Sequence, residues 1–271
     1  MSEYSSVLYE IGGPEDSLCT ITMNRPDQRN AINRELAEEL LDAFTRVRDE
    51  KSVKVVLFTG AGKSFCAGGD LSVLPSFDHY AVLDWLGRTG LALVRAITEN
   101  EKVIIAKVKG HCIAGGLEIA LACDLIYASE RTRFGVTEVA MGILPGWGGT
   151  VRLARTLPIF RGREILLSGK NDYTAREFYD MGLLTRVYDQ DEFDAKVDEM
   201  VALFCSRPQD SLRMGKAVMK ESFDGIPLDT AMNIEREAIT WLFHSEFVTT
   251  LREAALQVQA ALKQQQEDAQ T

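Results

Sequence analysis

The stretch that decides the fold is residues 103–128, VIIAKVKGHCIAGGLEIALACDLIYA. Val103–Val108 is rich in β-branched residues and reads as a buried strand. Glycines at 110, 115 and 116 follow, GGLEIALACD reads as a helix, and residues 124–128 (DLIYA) read as a second, shorter strand. Strand, glycine junction, helix and strand make the βαβ rhythm of a mostly parallel α/β architecture. Upstream, Leu18–Met23 (LCTITM) alternates like a half-buried strand and residues 53–59 (VKVVLFT) repeat the buried pattern. Between them Leu36, Leu40, Phe44 and Val47 fall at helical spacing. Downstream the character changes: residues 191–205, 207–222, 228–243 and 249–264 are helix-length patterns with few strand signals. Pro208 and Pro227 sit near two of their starts, where proline is tolerated. The expected division is an α/β core at residues 1–200 and a helical region at 201–271, with a polar tail from Gln264.

Composition narrows the function classes. A chain of 271 residues, 46% hydrophobic and 26% charged, is neither disordered nor collagen nor mainly coiled coil. A net charge of −10 argues against nucleic acid as partner, but not against an anionic small molecule. Five cysteines without a CxxC pair read as reduced, packed thiols. The N-terminus has no basic and apolar leader and no apolar run reaches membrane-spanning length, so a soluble cytoplasmic protein without membrane partners is the expectation. His79, His111 and His244 are too scattered for a metal-ligand motif, and no metal site is expected. Leu57 stands where a phosphate-wrapping loop ending in Gly62-Lys63-Ser64 would need glycine. No G-x-G-x-x-G follows a strand, and there is no G-x-S-x-G elbow.

Three glycine-rich junctions remain. Phe65-Cys66-Ala67-Gly68-Gly69-Asp70-Leu71 follows the strand at 53–59, and the Gly110-to-Ala120 stretch follows Val103–Val108. Phe134-Gly135-Val136-Thr137-Glu138 runs on to Pro145-Gly146-Trp147-Gly148-Gly149. In the second, Gly115 and Gly116 open a helix whose first N–H groups lack internal acceptors and favour negative charge. Glu118, three residues past Gly115, projects from nearly the same face. A donor for a developing oxyanion with a carboxylate one turn away suits chemistry next to a carbonyl. On this motif alone the plainer account comes first: an acid favoured by the helix dipole and otherwise idle. Gly69 supplies a second N–H, two being the usual number in an oxyanion hole, yet an ordinary turn explains that loop as well. Glu138 taken singly is a surface acid.

Together the motifs resemble the crotonase superfamily, specifically enoyl-CoA hydratases, across residues 18–190. Asn24-Arg25-Pro26 with Arg29-Asn30-Ala31-Ile32-Asn33 is similar to that family's N-terminal signature, and FCAGGDL to its first oxyanion loop. AGGLEIALACDLIYA is similar to its second loop, and FGVTEVAMGILPGWGG to the segment holding its second glutamate. The resemblance implies a spiral of repeated ββα units with a C-terminal helical region that builds a homotrimer or, by pairing, a homohexamer. It implies that Gly69 and Gly115 donate to a CoA thioester carbonyl, that Glu118 holds and activates water, and that Glu138 exchanges the proton at the α-carbon. Arg29, Ala31, Ala67, Asp70, Leu71, Ser72 and Gly146 match positions lining the substrate and CoA channel. No cofactor is implied beyond the coenzyme A of the substrate.

The implied reaction is reversible hydration of a 2-enoyl-CoA to a 3-hydroxyacyl-CoA. The alternatives are a dienoyl-CoA hydratase, a dehydratase, an enoyl-CoA isomerase, or a non-catalytic acyl-CoA scaffold. Ser72 stands where many relatives carry lysine, which takes one CoA phosphate contact away from that position. LQVQAALKQQQ replaces a basic-aromatic C-terminal stretch, leaving the grip on the adenine unassigned. Residues 72–92 fall where the family shapes its acyl pocket; His79, Tyr80 and Trp85 read either as its lining or as packing. Trp147 reads equally as pocket wall or core aromatic, and Cys66 has no base nearby to make it a nucleophile.

Overall fold

The computed structural model describes residues 4–76 and 78–268, in two units, Met1–Ser206 and Arg207–Thr271. The first unit opens with an antiparallel hairpin, β1 (Val7–Gly12) and β2 (Leu18–Met23). Asn33 then caps α1 (Arg34–Asp49), its side chain accepting from the Leu36 amide at 2.9 Å. The stripe Leu36, Leu40, Ala43, Phe44 and Val47 is buried along that helix, as its spacing dictates. β3 (Val55–Gly60) pairs parallel to β2. Phe44, Phe58 and Phe65 follow one another edge to face at 5.2 and 5.3 Å, locking helix to sheet. Next come α2 (His79–Asp84), a π-helical turn at Trp85–Leu91 and α3 (Ala92–Thr98), joined end to end.

From here the chain winds between two sheets. β4 (Val103–Val108) joins the larger sheet and β5 (His111–Ile113) the smaller; after α4 (Gly115–Ala120), β6 (Leu125–Ser129) returns to the larger and β7 (Arg133–Gly135) to the smaller. A 3-10 turn at Glu138–Met141 leads to α5 (Gly149–Thr156) and α6 (Ile159–Ser168). Then follow β8 (Tyr173–Thr174), α7 (Ala175–Met181), β9 (Arg186–Tyr188) and α8 (Phe193–Cys205). The larger sheet has the order β1-β2-β3-β4-β6-β9 and the smaller β5-β7-β8. All pairings from β2 to β9 in the larger sheet are parallel. This is the spiral of repeated units expected from the sequence.

Two boundaries differ from the sequence reading for local reasons. The helix expected through GGLEIALACD stops at Ala120. Asp124 turns the chain instead: its carboxylate accepts from the Ile104 amide at 2.7 Å, and its own amide donates to the Ile104 carbonyl at 3.0 Å. α8 belongs whole to the first unit, burying Phe193, Val197, Val201 and Cys205, so the division follows Ser206.

The second unit holds α9 (Gln209–Phe223), α10 (Leu228–Leu242) and α11 (Glu246–Asp268). The Arg213 guanidinium lies over the Trp241 ring at 5.8 Å, joining α9 to α10. Helix α11 runs on through the stretch expected as tail; residues 269–271 lie outside the described residues. Met219, Phe223, Leu228, Phe243, Leu251 and Leu256 are exposed. Among the described residues no helix is long and apolar enough to cross a membrane.

Candidate active site

The first glycine junction is set by two consecutive left-handed residues, Arg29 (φ 51°) and Asn30 (φ 57°). Asparagine tolerates that conformation, and here its amide organises the loop. Its Oδ1 accepts from the Arg25 amide at 2.9 Å, while Nδ2 lies 2.8 Å from the Ser64 carbonyl and 3.1 Å from that of Phe65. Ile32 then bridges the loop: its amide donates to the Gly68 carbonyl at 2.8 Å, and its carbonyl accepts from the Asp70 amide at 2.9 Å. The Gly69 N–H between those two groups therefore faces the other way, as alternate amides of an extended chain do.

The second junction is stitched to the first. Cys66 N donates to the His111 carbonyl at 2.9 Å, and Ile113 N to the Cys66 carbonyl at 3.1 Å. Ala114 adopts φ 51°, ψ −126°, a conformation unusual for a residue with a Cβ, and is held there by donating to the Gly135 carbonyl at 2.9 Å. That twist starts α4 with the Gly115 amide free of internal acceptors. A Cβ built on Gly115 would lie 3.9 Å from the Gly69 nitrogen, so the two amides are neighbours. A Cβ on Gly69 would meet nothing within 4 Å. At neither position does the protein itself require glycine for space, whereas a Cβ on Gly116 would sit 2.7 Å from the Cys66 Cβ and carbonyl.

One turn beyond, Glu118 is buried, and its Oε1 accepts from the amides of Trp147 and Gly149, both at 2.8 Å. Burial pushes this carboxyl up to about 7, against the pull of those two donors; Glu138 adds to the rise and Arg152 opposes it. Glu138, also buried, starts the 3-10 turn at Glu138–Met141. Desolvation raises its pKa too, while its own backbone amide and that of Thr137 pull it down. Its Oε2 is buried with no hydrogen-bond partner among the described residues. Buried polar atoms are nearly always satisfied, so an orphan oxygen on a carboxyl that acts electrostatically on Glu118 marks a place for something the described residues do not supply.

The Trp147 ring, buried, seats itself against the π-helical turn. A Cβ on Gly90 would fall 1.8 Å from its Nε1, and the Trp85 ring lies 5.1 Å away, centroid to centroid. A Cβ on Gly146 would come 2.3 Å from Leu86 Cδ2, so a side chain there would have to displace that leucine methyl. Trp147 is thus core aromatic by its ring and part of the site by its amide, a double role that the sequence reading left open. The amides of Trp147 and Gly149 had no separate signal in the sequence; the glycine pair after a proline was the only hint.

The other expected residues are distributed unevenly. Ala31 and Ala67 are half-buried and Arg29 is exposed on the same loops as Gly69. The Asp70 carboxylate is already engaged: Oδ2 accepts from Arg25 Nη1 at 3.1 Å, and Oδ1 from the Ser72 hydroxyl at 2.7 Å and amide at 3.1 Å. These donors hold Asp70 below the usual carboxylate range, chiefly through the Ser72 hydroxyl. Asp70 thereby acts as a latch on its loop, and Arg25, quoted in the sequence only as part of a signature, is its partner. Leu71 is 60% exposed, and Tyr80 and Leu83 are exposed beside it on the chain. Cys66 is buried, with its thiol pushed up to about 12 by desolvation, so it has no nucleophile's character. Among the described residues no group of His, Cys, Asp and Glu is arranged to hold a metal ion.

The raised pKa of Glu118 has a stability consequence of definite sign. The folded protein keeps a proton up to about pH 7 that an ordinary glutamate releases near 4.5. Stability from that proton is complete below the ordinary value and drains away as pH rises through the window. Glu118→Gln keeps an acceptor for both amides and cannot titrate. Its stability relative to the parent is expected to climb across that window by up to about 1.4 kcal/mol per pH unit. Urea unfolding at a series of pH values reads this directly, and parallel pH curves for the two proteins would contradict it.

Comparison with known proteins agrees with this architecture. The sequence model of the family "Enoyl-CoA hydratase/isomerase" matches residues 13–258. Crotonyl-CoA hydratase of Syntrophomonas wolfei is 32% identical over 244 residues, covering 90% of this chain and 92% of that protein. Short-chain-enoyl-CoA hydratase of Clostridium acetobutylicum is 31% identical over 245 residues, covering 90% and 92%. The crystal structure of enoyl-CoA hydratase from Bacillus anthracis superposes with a TM-score of 0.85 at 27% identity, covering 92% of this chain and 97% of that one. The fold is therefore the crotonase-type spiral. Its sequence places it more narrowly. The chain belongs to the enoyl-CoA hydratase/isomerase family.

Proposed function

We propose that the protein hydrates a 2-enoyl-CoA reversibly to a 3-hydroxyacyl-CoA. The observation that carries this reading is the buried pair Glu118 and Glu138, the second with an oxygen that no described residue satisfies. The two environments divide the work. Desolvation raises both carboxyls, Glu118 to about 7; what differs is their anchoring, since two amides fix Glu118 Oε1 while Glu138 Oε2 has no partner among the described residues. Glu118 therefore takes a proton from water as the water oxygen bonds to the β-carbon. The electrons of the double bond move toward the thioester, and the oxygen that gains charge accepts from the Gly69 and Gly115 amides. Glu138 delivers its proton to the α-carbon, completing the addition. Because the carboxyls interact, their protonation steps belong to the pair.

Residues Arg29, Ala31, Ala67, Leu71, Ser72 and Gly146 are assigned to the channel for the CoA thioester, with Asp70 holding its mouth in shape. No cofactor is needed, since water addition exchanges no electrons with a third party. Exposed apolar side chains on α9, α10 and α11 support assembly into trimers or pairs of trimers.

The names of the relatives make crotonyl-CoA the first substrate to try. Turnover in isotopically labelled water is expected to place the heavy oxygen on the β-carbon. An isomerase would move the double bond and incorporate no oxygen, and a chain that binds enoyl thioesters without converting any would be a scaffold.

A further inference from the structure

The loop that grips Glu118 is itself gripped by one half-buried cation. On α5, Arg152 Nη1 donates to the Trp147 carbonyl at 3.4 Å and Nη2 to Thr98 Oγ1, the last residue of α3, at 2.9 Å. Its amide donates to the Gly148 carbonyl at 2.9 Å. Gly148 has φ 101°, and a Cβ there would fall 2.3 Å from Nη1, so loop and guanidinium meet across a glycine. Trp147 is thus fixed at both ends: its ring by Gly90 and Trp85, its carbonyl by Arg152.

We propose that Arg152 is a positioning residue for Glu118, tying the Trp147–Gly149 loop to α3 so that both amides stay aimed at Oε1. The hydrogen bonds alone make a clamp; the charge adds a second effect. Among the described residues Arg152 forms no ion pair within 4.0 Å, although desolvation already lowers its own pKa. Packing would be served as well by an apolar side chain at less cost, since a buried charge is expensive. The titratable groups acting on the guanidinium are Glu118 from α4 and Cys123; Glu138 from the 3-10 turn acts on Glu118, and the buried thiols of Cys66 and Cys112 lie behind α4. Of these, Glu118 is the carboxyl that acts on the guanidinium. A cation there favours the ionised form of Glu118, the form that accepts a proton from water.

The kinetic part of this inference rests on the hydratase reading; the titration does not. The variants are R152M, R152K and T98V, each checked for folding by circular dichroism and thermal melting. Carboxyl carbons of glutamate are labelled, the Glu118 signal is assigned by its loss in E118Q, and its titration midpoint is followed without substrate. In R152M the midpoint is expected to rise by about one pH unit, and kcat for crotonyl-CoA to fall about 10²-fold. KM should stay near the parent's, and the acid limb of the rate profile should move up with the midpoint. R152K, which keeps the charge, is expected to restore the midpoint and only part of kcat. A folded R152M with the parent's midpoint and kcat overturns the assignment. Should R152M fail to fold, T98V decides: it loses the anchor but keeps the charge, and parent-like turnover there overturns the clamp. If the parent itself converts no enoyl thioester, the hydratase reading falls, and the substrate-free midpoint of R152M still tests the placement of the cation.

Discussion

Glutamine in place of Glu138 is expected to lower kcat for crotonyl-CoA by about 10²–10⁴-fold, with the melting temperature held or raised. The amide replaces a carboxyl whose Oε2 has no partner among the described residues, so the fold loses no described contact of that atom by the exchange. The reaction loses its proton donor to the α-carbon. The distinguishing readout is hydrogen exchange: the variant should also fail to exchange the α-hydrogen of a saturated acyl-CoA with labelled water. A purified Glu138→Gln protein that hydrates at the parent's rate would remove Glu138 from the chemistry. One that hydrates slowly but exchanges normally would give its proton to another group.

The second large effect separates glycines that serve the fold from glycines that serve the ligand. Gly69→Ala adds a methyl that meets no protein atom within 4 Å, and Gly115→Ala adds one whose nearest neighbours are Ile32 Cδ1 at 3.6 Å and the Gly69 nitrogen at 3.9 Å. Both variants are expected to fold with unchanged stability. Each puts a methyl in the space from which a thioester oxygen would reach the amides, and loss of one such donor costs about 10²–10³ in rate. Gly116→Ala behaves oppositely: its methyl would crowd Cys66 at 2.7 Å, so it should cost about 1–3 kcal/mol in urea unfolding before any kinetic effect is considered. Full activity in Gly69→Ala and Gly115→Ala would show that no oxyanion lies between these amides.

Much of this was legible in the chain. β2 and β4 have the ends that alternation and β-branching predict, and the α1 stripe is buried where helical spacing puts it. What escaped was short or tertiary. β5, β7 and β9 are three residues each and β8 two, too brief for any periodicity to register. The π-helical turn at Trp85–Leu91 has no sequence period of its own, and its Gly90 leaves room for an indole from 57 positions later in the chain. In the site, Glu118 and the glycines were visible because motif spacing carries them. The amides of Trp147 and Gly149 and the guanidinium of Arg152 were not, because backbone donors leave no residue-type signature and an arginine on a helix reads as solvated. Asp70 was read as a ligand contact, and no pattern in the sequence announces the three donors that occupy it.

The grip on Glu118 comes from a loop 29 and 31 positions further along. A ribosome that has delivered α4 has made Glu118 but not the loop that holds it, and an emerging polypeptide leaves that carboxyl without its two amides until α5 has left the tunnel and docked. Reactivity in this molecule is thus a late product of synthesis, withheld from half-made chains whose exposed carboxyl would titrate like any other.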